Sequence, residues 1–293
     1  MPQQGLNRMS EMELKITQVD AFTDKAFSGN PAAVCVTTEP LAEPLMQAIA
    51  SEMNLSETAF LHPLDSEPDT GGFPNEEGYR LRWFTPLTEV DLCGHATLAS
   101  AHILWSEGHL AAGEPAKFKT KSGWLTAKQG ADGWIEMDFP AMPVEHSAYV
   151  MPQLVKSLCC GGNIRAVSKN QTNFLVEIQT EHALRGLKPD FVQMNKLPVQ
   201  GVIATAPAAG DDCDFVSRYF APSVGVNEDP VTGSAHASLA PYWKAKLKKS
   251  SMVARQISER GGMIRVTCEE DDRVTISGQA VTVFAGILKG QLS

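Results

Sequence analysis

Positive charge is scarce in this 293-residue chain: 25 Lys and Arg stand against 34 Asp and Glu, for a formal net charge of −9. Without a basic excess the chain has no general hold on nucleic acid, whose phosphates must be neutralised by Lys and Arg. No apolar run reaches the roughly 20 residues that a bilayer-spanning helix needs, so no membrane span is expected. The six cysteines (Cys35, Cys93, Cys159, Cys160, Cys213 and Cys268) fall into no CxxC or Cys/His ligand spacing, so no metal site is expected. GxGxxG and Walker A loops are also missing, which excludes the common dinucleotide and P-loop nucleotide sites.

What is present is globular material, 43% hydrophobic and 20% charged. A chain of this length buries a core without disulfide staples. Scattered cysteines in such a chain fit a reduced, cytoplasmic protein. Met1 to Met12 is polar and lacks the basic-then-apolar order of a signal peptide, and reads as a loose leader.

Strands are expected at Leu14–Thr17, Ala32–Val36, Ser56–Leu61 and Tyr79–Phe84, and later at 173–178, 201–205, 214–220, 263–267, 273–277 and 280–285. Ser28-Gly29-Asn30-Pro31 is turn chemistry. Pro44 opens a helical pattern with Leu45, Ile49 and Met53 on one stripe, and Asn54 ends it. Residues 63–78, rich in Pro, Gly, Asp and Glu, read as a loop. Gly94 to Trp105 is apolar nearly all round, the mark of a helix buried on most sides, and Ser234 to Leu247 is a second helix. Trp124–Lys128 and Trp134–Phe139 form a hairpin around Asp132-Gly133. Strands outnumber helices without regular alternation, which points to a mixed α+β fold rather than a doubly wound parallel sheet.

The chain also repeats itself. Arg82-Trp83-Phe84-Thr85-Pro86 is echoed by Arg218-Tyr219-Phe220-Ala221-Pro222, at an offset of 136 residues. Gly94-His95-Ala96-Thr97-Leu98-Ala99 is echoed by Gly233-Ser234-Ala235-His236-Ala237-Ser238, at 139. Each copy reads strand, Pro turn, then a helix opening on glycine. The first amide groups of such helices have no intrahelical partner, so two helix starts facing one cleft would hold an anion.

Four segments carry a resemblance to a known family: Phe27-Ser28-Gly29-Asn30-Pro31-Ala32-Ala33-Val34, Asn54-Leu55-Ser56-Glu57-Thr58-Ala59-Phe60, Cys93-Gly94-His95-Ala96-Thr97 and Glu228-Asp229-Pro230-Val231-Thr232-Gly233-Ser234-Ala235. With Arg260-Gly261-Gly262 and Ser277-Gly278, they make the chain similar to the phenazine-biosynthesis isomerase (PhzF-like) family from about residue 14 to 288. The resemblance implies a diaminopimelate-epimerase-like fold. Two pseudo-symmetric lobes, 13–128 and 129–293, each wrap β-structure around a central helix, and the last strand crosses back to the first lobe. It also implies a homodimer without metal or organic cofactor, acting on a small anionic cyclic or conjugated metabolite. By motif position the catalytic glutamate falls on Glu57, supported by His95 and Asp229. Gly94, Gly233, Ser234, Ser56 and Asn30 form the expected substrate-binding set.

The residues suit that chemistry. A carbon acid needs a positioned base and donors for the developing charge, and one carboxylate serves as base and then acid when both carbons lie on one face. Other readings stay open at this point. Asn54-x-x-Glu57 also fits a capping box. Arg82 and Arg218 could offset substrate charge or be ion-paired strand residues. Cys93 precedes Gly94 where thiol epimerases of this fold carry a cysteine, but the second copy has Thr232, too weak an acid to mirror a thiolate. That leaves a one-thiol epimerase or dehydratase, and a catalytically silent binding protein, as rival functions.

Overall fold

The computed structural model describes residues 11–66, 77–130, 132–147, 149–268 and 272–291. Residues 1–10 of the expected leader and 67–76 of the expected loop lie outside them. The first half of the chain runs β1 (Glu11–Ala21), β2 (Asn30–Val36), α1 (Glu43–Met53), β3 (Glu57–Pro63), β4 (Tyr79–Phe84), β5 (Glu89–Val90), α2 (Gly94–Ser106), β6 (Ala116–Thr120), β7 (Gly123–Gln129) and β8 (Ile135–Pro140). The second runs β9 (Glu145–His146), α3 (Pro152–Leu158), β10 (Ile164–Lys169), β11 (Asn173–Ile178), α4 (Glu181–Arg185), α5 (Phe191–Met194), β12 (Gly201–Pro207), β13 (Phe215–Ala221), β14 (Val226–Asp229), α6 (Gly233–Leu247), β15 (Ser251–Gln256), β16 (Gly262–Thr267), β17 (Arg273–Gly278) and β18 (Ala280–Gln291).

The halves share one pairing order. β1–β2 is antiparallel, β2–β3 parallel, β3–β4 and β4–β5 antiparallel, β4–β6 parallel, and β6–β7 and β7–β8 antiparallel. β10–β11, β11–β12, β12–β13, β13–β14, β13–β15, β15–β16 and β16–β17 repeat that sequence of directions step for step. The two halves join where β8 pairs with β17. β9, which follows β8, pairs with β10, and β18, which follows β17, returns to pair with β1 of the first half.

Each lobe wraps a central helix made of small residues. Gly94 to Ala101 of α2 is buried throughout, and so are Ala235 to Ala240 of α6. Such helices carry no polar stripe, so their hydroxyls must bond inward. Thr97 Oγ1 donates to the Cys93 carbonyl and Ser100 Oγ to the Ala96 carbonyl, at 2.5 and 2.7 Å. Pro241 inside α6 has no N–H to give, and the Ala237 carbonyl that it frees accepts from Met142 N, 3.0 Å away in the segment leading to β9. Leu98, Ile103 and Leu104 are at most 1% exposed, and each such side chain contributes about 1.5–3 kcal/mol by its burial.

The repeated arginines prove structural. The Arg82 guanidinium grips Glu89 and lies 5.1 Å from the Phe84 ring centre. Arg218 grips Glu228 and lies 4.9 Å from that of Phe220. The contact between lobes is dense. A Cβ added at Gly278 would sit 2.3 Å from the Phe22 ring and 2.8 Å from Leu98. Gly278→Ala therefore destabilises the fold by about 1–3 kcal/mol, as overpacking does. A thermal melt within error of wild type would show that this junction yields instead.

Candidate active site

The site is assembled where the two central helices begin. Gly94 opens α2 and Gly233 opens α6, and the two starts abut: a Cβ on Gly94 would lie 3.4 Å from Gly233 Cα, and one on Gly233 3.5 Å from Gly94 Cα. Those are ordinary van der Waals distances, so the two amide-rich ends lie directly side by side.

Glu57 is the first residue of β3, opposite Ala32 on the parallel strand β2. Asn54 closes α1 in the left-handed conformation, with φ 50, and a strand rather than a helix follows. The capping-box alternative is thereby excluded. The Glu57 side chain, 17% exposed, faces the imidazole of His95, the second residue of α2, with Oε2 and Nε2 3.2 Å apart. Neither of these buried atoms has a partner in hydrogen-bond geometry. The ring bonds the Pro31 backbone. Cys93, the residue before α2, places its Sγ 3.5 Å from His95 Nδ1. One ligand atom each from Glu57, Cys93 and His95 lies within 4.8 Å of the others.

The second lobe contributes Asp229, the last residue of β14. Asn30 Nδ2 crosses from the first lobe to donate to Asp229 Oδ1 and to the Val231 carbonyl, both at 2.8 Å. The Thr232 hydroxyl donates to the other Asp229 oxygen. Gln256, fully buried, donates to the Asp229 carbonyl at 2.7 Å and accepts from Thr232 N at 2.9 Å, so the loop between β14 and α6 is held from below. Asn30 is thus a bridge between lobes as well as a turn residue. Ser56 is half-buried beside Glu57 and Ser234 is exposed on the first turn of α6. Among the described residues neither hydrogen-bonds the Glu57 group.

Burial sets the protonation states. It pushes the Glu57 carboxyl up to about 8, helped by the charge of Asp229 and opposed by a hydrogen bond from Cys93. Asp229 rises less, to about 6: burial is opposed there by the Thr232 and Asn30 hydrogen bonds. Burial lowers His95 to about 3, against the Pro31 bond, so the ring is neutral. The Cys93 thiol is driven well above its usual range, first by burial and then by the charge of Glu57. At neutral pH the site therefore holds a carboxyl near its titration point beside a neutral imidazole and an ionised aspartate. Two carboxyls whose surroundings separate their titrations are the usual mark of an acid/base site.

The second lobe does not duplicate this machinery. In register, Gly201 opposite Asn173 occupies the position that Glu57 holds opposite Ala32, and Tyr219 opposite Ile203 matches Trp83 opposite Ala59. The Tyr219 hydroxyl, donating to Asn173 Oδ1 at 3.0 Å, fills the space: a Cβ on Gly201 would meet it at 2.4 Å. The sequence showed this pair only as an aromatic echo. Gln256 and the Thr232–Asp229 contact carried no signal of their own.

The phenazine biosynthesis-like protein family model matches residues 19–286. An uncharacterized isomerase of Halalkalibacterium halodurans is 49% identical over 273 residues, covering 93% of this chain and 97% of that one. A human phenazine biosynthesis-like domain-containing protein is 42% identical, covering 94% and 99%. Among solved structures, a phenazine biosynthesis protein of the PhzF family from Enterococcus faecalis superposes with a TM-score of 0.84 at 38% identity, over 94% of this chain and 99% of that one. A hydroxyproline epimerase from Agrobacterium vitis, 12% identical, shares the fold alone, with a TM-score of 0.59 over 95% and 93%. This chain belongs to the phenazine biosynthesis-like protein family.

Proposed function

We propose that this chain, an isomerase by its relatives, moves a proton between carbons of a small anionic cyclic or conjugated metabolite with Glu57 as the acid/base. The observation that carries the reading is the Glu57 carboxyl itself. It is buried at the junction of the lobes, titrates near 8, and faces the unpartnered Nε2 of His95 at 3.2 Å. A group with that titration both takes and returns a proton near neutral pH. His95 faces the carboxyl as a neutral ring. Asp229 orients a substrate amine or hydroxyl, and the helix starts at Gly94 and Gly233, with Ser234 and Ser56, hold its carboxylate, while the Asn30 amide, both of its N–H groups spent on Asp229 and the Val231 carbonyl, fixes Asp229 rather than the substrate. The reading needs no metal or organic cofactor. The working unit is a pair of lobes, 13–128 and 129–293, with the final strand returned to the first. It acts as a cytoplasmic homodimer, for which β18 offers exposed Phe284 and Ile287.

The test is deuterium wash-in from solvent, followed by NMR over a panel of small cyclic and unsaturated acids. Exchange into none of them would favour a binding protein. For the wild type, kcat/KM should rise with pH through about 8 as Glu57 loses its proton to solvent.

The thiol reading has one point in its favour, the position of Cys93 against His95. A thiol held well above its usual range is a poor base. Cys93→Ala should keep most of the activity. It should also move the pH limb upward, because the Cys93 hydrogen bond holds the Glu57 carboxyl down. A Cys93→Ala protein as inactive as a Glu57 variant would hand the chemistry to the thiol.

A further inference from the structure

The proton shuttle has no step for Cys93, yet the thiol completes a set of three different donors. Glu57, Cys93 and His95 each bring a ligand atom to within 4.8 Å of the others. Glu57 Oε2 and His95 Nε2 are buried and unpartnered at 3.2 Å. A cation between them would draw a lone pair from each. The two ring nitrogens differ in their surroundings, Nδ1 lying 3.5 Å from Cys93 Sγ and Nε2 having no hydrogen-bond partner.

We propose that Glu57, Cys93 and His95 form a binding site for a soft divalent cation, zinc in the first place, and that occupying it switches the isomerase off. The donor set selects the ion. Thiolate and carboxylate bring one negative charge each and imidazole none, so bound Zn2+ is neutralised inside a buried pocket. Mg2+ and Ca2+ require more donors, all of them oxygen. Zinc takes S, N and O at about 2.0–2.3 Å, which spaces tetrahedral neighbours about 3.3–3.7 Å apart. The Glu57–His95 separation is already close to that, and the Cys93 sulfur lies within 4.8 Å of the donor atoms of both. Spacing along the sequence hid the site, because Glu57 comes from a different strand. Only the inhibition rests on Glu57 as the shuttle, since binding follows from the donors alone.

Cobalt reads the site directly, through the near-ultraviolet charge-transfer band of a thiolate bound to Co2+. Cys159 is an exposed thiol, so Cys159→Ser serves as the parent. The expected result is one Co2+ per chain with a charge-transfer band, displaced by equimolar Zn2+. Cys93→Ala should lose the band and weaken Zn2+ binding about 100-fold or more, and His95→Gln should weaken binding while circular dichroism reports an intact fold. A parent protein without the band, or a band that survives Cys93→Ala, overturns the site. With the site present, Zn2+ stops deuterium wash-in and EDTA restores it. A protein that binds Co2+ as described but exchanges no substrate hydrogen would refute the isomerase reading and leave the metal site standing.

Discussion

Glu57→Gln should abolish exchange of substrate hydrogen with solvent and make the protein more stable. The amide keeps the size and reach of the carboxyl but cannot carry a proton back and forth. Loss of a general acid/base costs about 10²–10⁴-fold in rate, so deuterium wash-in should fall by at least about 100-fold. The stability sign follows from linkage. The Glu57 carboxyl titrates near 8 in the folded protein and near 4.5 when unfolded. Between those values the folded state holds a proton that the unfolded state has released, so stability falls as pH rises through that window. Glutamine has no charge to bury, and it removes a penalty on the order of a few kcal/mol that is fully developed above about pH 8. Melting curves at pH 5 and pH 9 should therefore diverge, with the variant's advantage largest at pH 9. Near-normal wash-in by a folded Glu57→Gln protein would falsify the shuttle.

Arg260→Ala should be among the most damaging single changes away from Glu57, because of what it abandons. Arg260 Nη2 donates to Asp20 Oδ1 at 2.8 Å and to the Ser28 carbonyl at 2.9 Å, and Nε donates to the Gly29 carbonyl at 2.8 Å. The Asp20 side chain is 1% exposed. Removing one partner of a buried pair leaves a charge without compensation, which costs about 3–5 kcal/mol. The arginine is itself 32% exposed, which puts the expected loss toward the lower figure. Lysine should not rescue it, since one ammonium cannot reproduce the planar fork that spans a carboxylate and two carbonyls. The loop so held leads straight into Asn30 and Pro31, which touch Asp229 and His95, so activity should fall with stability. Urea unfolding measures the first effect. A loss under about 1 kcal/mol would mean that Phe27 N, which also bonds Asp20 at 2.7 Å, suffices alone.

Much of this was legible in the sequence where a signal was local. Tyr79–Phe84 and 173–178 are strands with the expected bounds, and Asn54 does end its helix. The buried helix at Gly94 announced itself by being apolar on every side. Glu57, His95 and Asp229 were picked out by motif, and the fold brings them to one junction. Losses occurred where burial and sequence pattern part company. Ile164–Lys169 mixes charges into a strand whose interior positions are Val167 and Ser168, and Ser251–Gln256 buries a glutamine at its end. The short helices α3 to α5 have too few turns to show a period. The links that make the site, Asn30 to Asp229 and Arg260 to Asp20, join residues 199 and 240 apart. No pattern along a chain reports a partner at that range.

The returning last strand imposes an order on biosynthesis. β18 leaves the ribosome after every other element named here, yet it is the partner of β1, the first, from Glu11 opposite Gln291 to Ala21 opposite Ala280. The first lobe therefore waits, one strand short, while the second is made beside it. Its central helix needs that wall, because α2 contacts β18 as well as β1. The entropy of so long a closure grows only with the logarithm of length and weighs little at equilibrium. Its weight falls on the rate, since pairings remote in sequence form slowly. Until they form, β1 shows the nascent chain's neighbours an open edge, the feature through which strands of different molecules join.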